Sequence, residues 1–232
     1  MEISGGNISL ADAKHLQAAA RTSLPDWTPG DTEPWVIDAI TGLLMATGQR
    51  NVLELGGYHG ATSAALAETL TRLGGGHLIV VEYDEELCPL IAERLSPYPE
   101  SQWQIWGEDV LDALPRLKDE SIGFAFVDDN HDALHVAEEV DLLIPKMIDG
   151  GVICFHDVCG AYAIHHLVTY YGGIALNLPR VSHSGGLGIL QVTPSVREKP
   201  KMTFRFDEDH PAVVLHAGQL VFRVMGEVQQ PV

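Results

Sequence analysis

Asn51-Val-Leu-Glu-Leu-Gly-Gly-Tyr-His-Gly60 runs from a short apolar segment into a glycine turn, and Ala61-Thr-Ser-Ala-Ala-Leu-Ala67 continues it as a small-residue helix. A strand, a glycine turn and a helix in that order form the first unit of an open sheet that binds its ligand beyond the strand ends. The rest of the chain repeats the rhythm. Apolar strands are predicted at VLEL (52–55), HLIVVE (77–82), WQIW (103–106), IGFAFVD (122–128) and GVICFHD (151–157). Helical segments lie between and after them, at about 60–72, 85–95, 109–117, 132–146 and 160–171.

Strands that are apolar on both faces and alternate with helices imply a parallel sheet covered on both sides. Right-handed crossovers then leave a doubly wound layout. The expected fold class is α/β, Rossmann-like, with a mostly parallel seven-stranded sheet and helices on both faces. Gly173–Leu178 and Leu187–Val192 supply its last two strands, with an antiparallel partner at one edge.

The flanks read differently. Residues 9–23 suggest an amphipathic helix capped by Ser9, and the turn-rich segment around Trp27 suits a lid. A further helix should run from Glu33 to about Ala46, with Trp35, Ile37, Ile40, Leu43 and Leu44 on one face. Residues 193–200 read as a linker, and MTFRFD, AVVLHA and LVFRVMG beyond it as a small C-terminal β appendage. The organisation is thus 1–34 as N-terminal helix and lid, 35–192 as the ligand-binding domain, and 193–232 as the β extension. Open strand edges in that extension suit pairing with a second subunit as a homo-oligomer.

With 32 acidic against 14 basic residues, the formal net charge is −18. Such a surface repels nucleic-acid phosphates and anionic lipid, so neither a nucleic acid nor a membrane is an expected partner. Cys88, Cys154 and Cys159 form no CxxC pair, which points to a reducing compartment. No signal peptide or membrane-length apolar run is visible, and a cytoplasmic location is expected.

The glycine turn decides the ligand class. A dinucleotide site wants G-x-G-x-x-G with the pyrophosphate on the helix N-terminus. Here the pattern is Glu54-x-Gly56-x-x-x-Gly60, and a carboxylate at the strand end opposes a pyrophosphate. It suits a ligand that carries an amino group and a sulfonium. Val52-Leu-Glu-Leu-Gly-Gly-Tyr-His-Gly60 resembles motif I of class I S-adenosylmethionine-dependent methyltransferases. Val80-Val-Glu-Tyr-Asp84 places Glu82 where that family sets an acid against the ribose, and Gly107-Glu-Asp-Val110 resembles its adenine-contacting segment. The resemblance implies S-adenosylmethionine as cofactor, with Glu54, Gly56, Tyr58, Gly60, Ser63, Glu82, Tyr83, Asp109, Val110 and Asp128 around it.

Two strand ends carry the candidate chemistry. Val127-Asp-Asp-Asn-His-Asp132 and Phe155-His-Asp157 should open onto one rim. Asp128 and Asp157, with His156 or Asn130 as a further donor, suit a divalent ion such as Mg²⁺. Asp129 and Asp132 read more simply as helix-start acids. The pattern Asp128-x-x-His131, followed by Asp141-Leu-Leu-Ile-Pro-Lys-Met-Ile-Asp-Gly-Gly151 and Phe155-His-Asp-Val158, resembles small-molecule O-methyltransferases of the macrocin type, more distantly catechol O-methyltransferases. That resemblance implies a small hydroxylated acceptor, Asp128 and Asp157 as metal ligands, and His131 as general base. Asn130 and Ala133 depart from the branch, where an acid and an aromatic are usual. His165, His166 and His183 receive no role. Two other readings fit parts of the chain: a nicotinamide-dependent oxidoreductase, and a non-catalytic cofactor-binding module.

Overall fold

The computed structural model describes residues 32–159, 162–176, 185–206, 212–217 and 220–225. The helix expected at 9–23 and the lid around Trp27 lie outside them. The centre of the fold is a seven-stranded sheet in the order β3-β2-β1-β4-β5-β7-β6. Its strands are β1 (Asn51–Leu55), β2 (His77–Glu82), β3 (Trp103–Gly107), β4 (Ile122–Val127), β5 (Met147–His156), β6 (Ile174–Leu176) and β7 (Leu187–Gln191). The first five are parallel. β7 runs antiparallel to both β5 and β6, so the reversed strand is second from the edge rather than at the edge.

Period-two alternation explains why both faces are buried. In β4, Phe124 and Phe126 point into one core and Ala125 and Val127 into the other. The helices are α1 (Pro34–Thr47), α2 (Ala61–Arg72), α3 (Cys88–Leu95), α4 (Val110–Ala113), α5 (Ala133–Leu143), α6 (Tyr162–Tyr171) and a single-turn α7 (Pro194–Arg197). Ile40 and Leu44 of α1, Leu66 and Leu70 of α2, and Ile91 and Leu95 of α3 cover the phenylalanine face. Val136, Val140 and Leu143 of α5, with Leu167 and Val168 of α6, cover the other. Helix ends follow local chemistry: Pro34 opens α1 and Gly48, at φ 65°, closes it. Asp109 and Asp132 cap α4 and α5 through their side chains.

Beyond α7, β8 (Met202–Phe206), β9 (Ala212–Ala217) and β10 (Leu220–Met225) form a separate antiparallel sheet. Among the described residues, no helix is long and apolar enough to cross a membrane. Strand order reverses between β1, which leads outward to β2, and β4, which lies on its other side. Ligands of such sheets bind at that switch point. The glycine turn leaves β1 there, and Asp128 leaves β4.

Candidate active site

The glycine turn packs tightly against its own protein. Gly56 has φ 86°, and a Cβ on it would lie 2.2 Å from the Asp128 carbonyl oxygen. At Gly57 a Cβ would lie 2.6 Å from side-chain carbons of both Ile91 and Val80. Gly60 is the left-handed residue that opens α2, with φ 78°. At Gly56 and Gly57 the positions of the missing Cβ atoms are taken by protein atoms.

Glu82 pins this turn. Its Oε2 accepts hydrogen bonds from the backbone N–H groups of Gly57 (2.9 Å) and Tyr58 (2.7 Å), and Oε1 accepts from Asp84 N–H (2.9 Å). A carboxylate has about four lone-pair sites, so roughly one remains for a ligand. Glu82 lines a cleft of about 870 Å³ together with Gly56, Tyr58, Tyr83, Asp109 and Val110. Asp128, Asn130, His131, His156 and Asp157 line the same cleft. Three residues expected at the cofactor do not line it: Glu54, Gly60 and Ser63. Glu54 is fully buried and neither carboxylate oxygen has a hydrogen-bond partner. Burial pushes its pKa up to about 8, with Ser63 opposing the rise and the charges of Asp128 and Glu82 adding to it. Ser63 Oγ is also buried without a hydrogen bond of normal geometry.

The two strand ends do meet. His131 Nε2 lies 2.6 Å from Asp157 Oδ2. His156 Nδ1 lies 2.9 Å from Asp128 Oδ1 and 3.4 Å from Asp157 Oδ2, while its Nε2 reaches Glu33. Burial disfavours a charged His156, but the bonds to Asp128, Asp157 and Glu33 outweigh it and push its pKa up to about 12. With both ring nitrogens facing carboxylates, His156 ties Asp128, Asp157 and Glu33 together. Burial raises Asp157, but hydrogen bonds from His131 and His156 hold it well below the usual carboxylate range. The hydrogen bond to Asp157 raises His131, against the opposing effect of burial. For Asp128 burial wins and its pKa is raised, despite the bonds from His156 and Thr32. Asn130 Oδ1 accepts from the Asp132 N–H and serves the loop.

One ligand atom each from Asp128, His131 and Asp157 lies within 4.8 Å of the other two. The oxygen-rich donor set fits a divalent cation. Asp157 has φ 55°, a left-handed conformation, and a Cβ on Gly185 would lie 1.8 Å from its Oδ1. The Gly185 N–H donates to Glu33 Oε1 (2.7 Å), so that glycine admits both carboxylates.

Several residues here were not legible from the sequence. Thr32 Oγ1 donates to Asp128 Oδ2 at 2.8 Å, and Thr62 Oγ1 donates to Thr32 at 3.0 Å. Glu33 reads as a helix start, yet its side chain makes no cap and crosses to His156. Asp129 reads as a helix-start acid but pairs with His135 Nε2 at 3.2 Å. The only signal for Asp129 was its place beside Asp128.

Residues 53–158 match the family model described as a methyltransferase domain. Among solved structures, the O-methyltransferase TomG from Streptomyces achromogenes, in complex with SAM, is 20% identical. It aligns with a TM-score of 0.61 over 81% of this chain and 91% of its own. An O-methyltransferase from Bacillus cereus, in complex with SAH, is also 20% identical, with a TM-score of 0.63 over 78% of this chain and 90% of its own. A putative O-methyltransferase from Klebsiella pneumoniae is 16% identical, with a TM-score of 0.62 over 82% of this chain and 92% of its own. Comparison with proteins of curated function gives no significant match.

Proposed function

We propose that this chain, whose residues 53–158 match a methyltransferase-domain model, moves a methyl group from S-adenosylmethionine to a hydroxyl of a small molecule. One observation carries the reading. A single cleft joins the glycine turn, Glu82 and Val110 to the pair His131–Asp157, with Asp128 lining it as well. Glu82, Asp109 and Asp128 line that cleft and no Lys or Arg does so among the described residues. Acids without Lys or Arg suit a ligand bearing a sulfonium and an amino group, and disfavour a dinucleotide pyrophosphate. Ligands of the similar structures, SAM and SAH, agree with that choice.

The cofactor supplies an electrophilic methyl carbon, to which an acceptor oxygen forms a bond as the carbon–sulfur bond breaks and its electron pair stays on sulfur. The chain must bring the oxygen into line and take its proton. With Asp157 accepting from His131 Nε2–H, the neutral ring presents Nδ1 as its basic site. Asp157 thus orients the base and His131 is the base. Asp128 and Asp157 would hold a divalent ion such as Mg²⁺, whose contribution when bound is to lower the pKa of an acceptor hydroxyl. His131 as a third ligand is a second reading, favoured by the 4.8 Å grouping of its ligand atom with those of Asp128 and Asp157.

Calorimetry with S-adenosylhomocysteine, paired with label transfer from S-adenosylmethionine to hydroxylated acceptors with and without a chelator, tests the proposal. Micromolar binding and metal-dependent transfer are expected. Stabilisation by a nicotinamide dinucleotide and none by S-adenosylhomocysteine would reject it.

A further inference from the structure

We infer that Asp129, His135 and Glu139 form a second divalent-cation site, in the wall of the cleft and separate from Asp128, His131 and Asp157. Asp129 is the second residue after β4. His135 and Glu139 stand four apart on α5, a spacing that puts both on one helix face. One ligand atom from each of the three lies within 4.8 Å of the others.

Glu139 makes this more than a cluster of acids. It is fully buried, and both of its carboxylate oxygens lack a hydrogen-bond partner. Asp129 Oδ1 is buried and unpartnered as well, although its Oδ2 faces His135. Neither acid forms an ion pair with Lys or Arg among the described residues; Asp129 pairs with His135 alone. Buried carboxylates without partners are unfavourable, and a cation coordinated by both acids would relieve that cost. Asp129 and His135 line the cleft, which gives an ion a route in. Glu139 closes the site from the protein interior.

One imidazole nitrogen with two carboxylates suits a first-row transition ion such as Zn²⁺ or Mn²⁺. Such an ion would tie the loop after β4 to α5. That loop carries Asp128 and His131, so the second site would stiffen the element that presents the first. Protonation offers the competing account, in which Asp129 and Glu139 share a proton and no ion binds.

The test counts ions on full-length, tag-free protein. Wild type, Glu139→Gln, His135→Ala and Asp157→Asn are stripped with chelator, titrated with Zn²⁺ by calorimetry, and assayed for bound metal after dialysis. Glu139→Gln and His135→Ala should each hold one ion fewer per chain than wild type, and Asp157→Asn should keep the ion that those two lose. Circular dichroism checks the fold, and His135→Ala stands in should Glu139→Gln misfold. If both variants bind as many ions as wild type, or if Asp157→Asn removes every bound ion, the second site does not exist. S-adenosylhomocysteine binding by the same samples reports the proposed activity separately.

Discussion

His131 Nε2 sits 2.6 Å from Asp157 Oδ2, which joins the loop after β4 to the end of β5. The bond that orients the ring also raises its pKa, so the protonated, non-basic form persists to higher pH than in a free histidine. Turnover should therefore rise with pH through a limb above the ordinary histidine value of about 6.5. Asp157→Asn should move that limb downward, because the carboxylate that raises the ring is gone. A kcat profile whose acid limb is the same in both proteins would remove His131 from the proton transfer.

Replacing His131 with Ala separates base from ligand. As a base, its loss should cut turnover by roughly 10²–10⁴-fold while metal affinity and S-adenosylhomocysteine affinity stay nearly constant. Residual activity should climb with pH as the acceptor hydroxyl ionises unaided. Loss of metal binding in calorimetry would make the imidazole a ligand instead.

Glu82 was expected to serve the ribose, yet three of its lone pairs already hold the backbone of Gly57, Tyr58 and Asp84. Glu82→Ala should thus destabilise the protein before any ligand is added. Hydrogen bonds to a charged group contribute on the order of 1.5–3 kcal/mol each, and water entering the site offsets part of the loss. Thermal melts of the ligand-free protein measure this. An unchanged melting temperature combined with weaker S-adenosylhomocysteine binding would return Glu82 to a purely ligand-directed role.

The sheet was legible because its parallel strands are apolar on both faces. HLIVVE is the observed β2 without a residue's error. β5 begins at Met147, four residues before the expected Gly151, because Asp149-Gly150 dilutes the apolar run there. The site was half legible. Strand-end acids announce themselves when a buried run stops at a carboxylate, as at Asp128 and Asp157. Thr32 and Glu33 reach Asp128 and His156, respectively, across 96 and 123 residues, and no local pattern encodes that. Glu139 was hidden for a different reason: on an amphipathic helix a glutamate reads as solvent-facing, and only packing reveals that it is buried.

Gly56→Ala tests the switch point. The left-handed backbone alone costs about 1–3 kcal/mol for a side-chain-bearing residue, and the new Cβ would press on the Asp128 carbonyl 2.2 Å away. Denaturant midpoints should fall, and S-adenosylhomocysteine binding should weaken as Asp128 is displaced. Gly42→Ala is the control. Gly42 is exposed in α1 with nothing within 4 Å of its Cβ, so alanine there should stabilise by about 0.5–1 kcal/mol. Equal effects at the two glycines would mean that the turn has slack.

Glu54 yields a prediction with an unusual sign. Its folded-state pKa is raised to about 8 from the ordinary 4.5. The folded protein therefore holds this proton where the unfolded chain has released it. Stability tied to the group is complete below the unfolded value, and it drains away as pH climbs through about 8. Glu54→Gln removes the burden of ionisation but buries an amide whose own hydrogen bonds are unmade, at about 1–3 kcal/mol. At pH 5 the variant should be equal to wild type or weaker. By pH 9 it should be the more stable protein by a few kcal/mol, the order set by a shift of several units at about 1.4 kcal/mol each. Guanidinium melts of both ligand-free proteins at the two pH values decide it. A stability difference that does not change with pH would mean that Glu54 is ionised in the fold with a partner holding its charge, and the unpartnered carboxyl at the end of β1 would need another explanation.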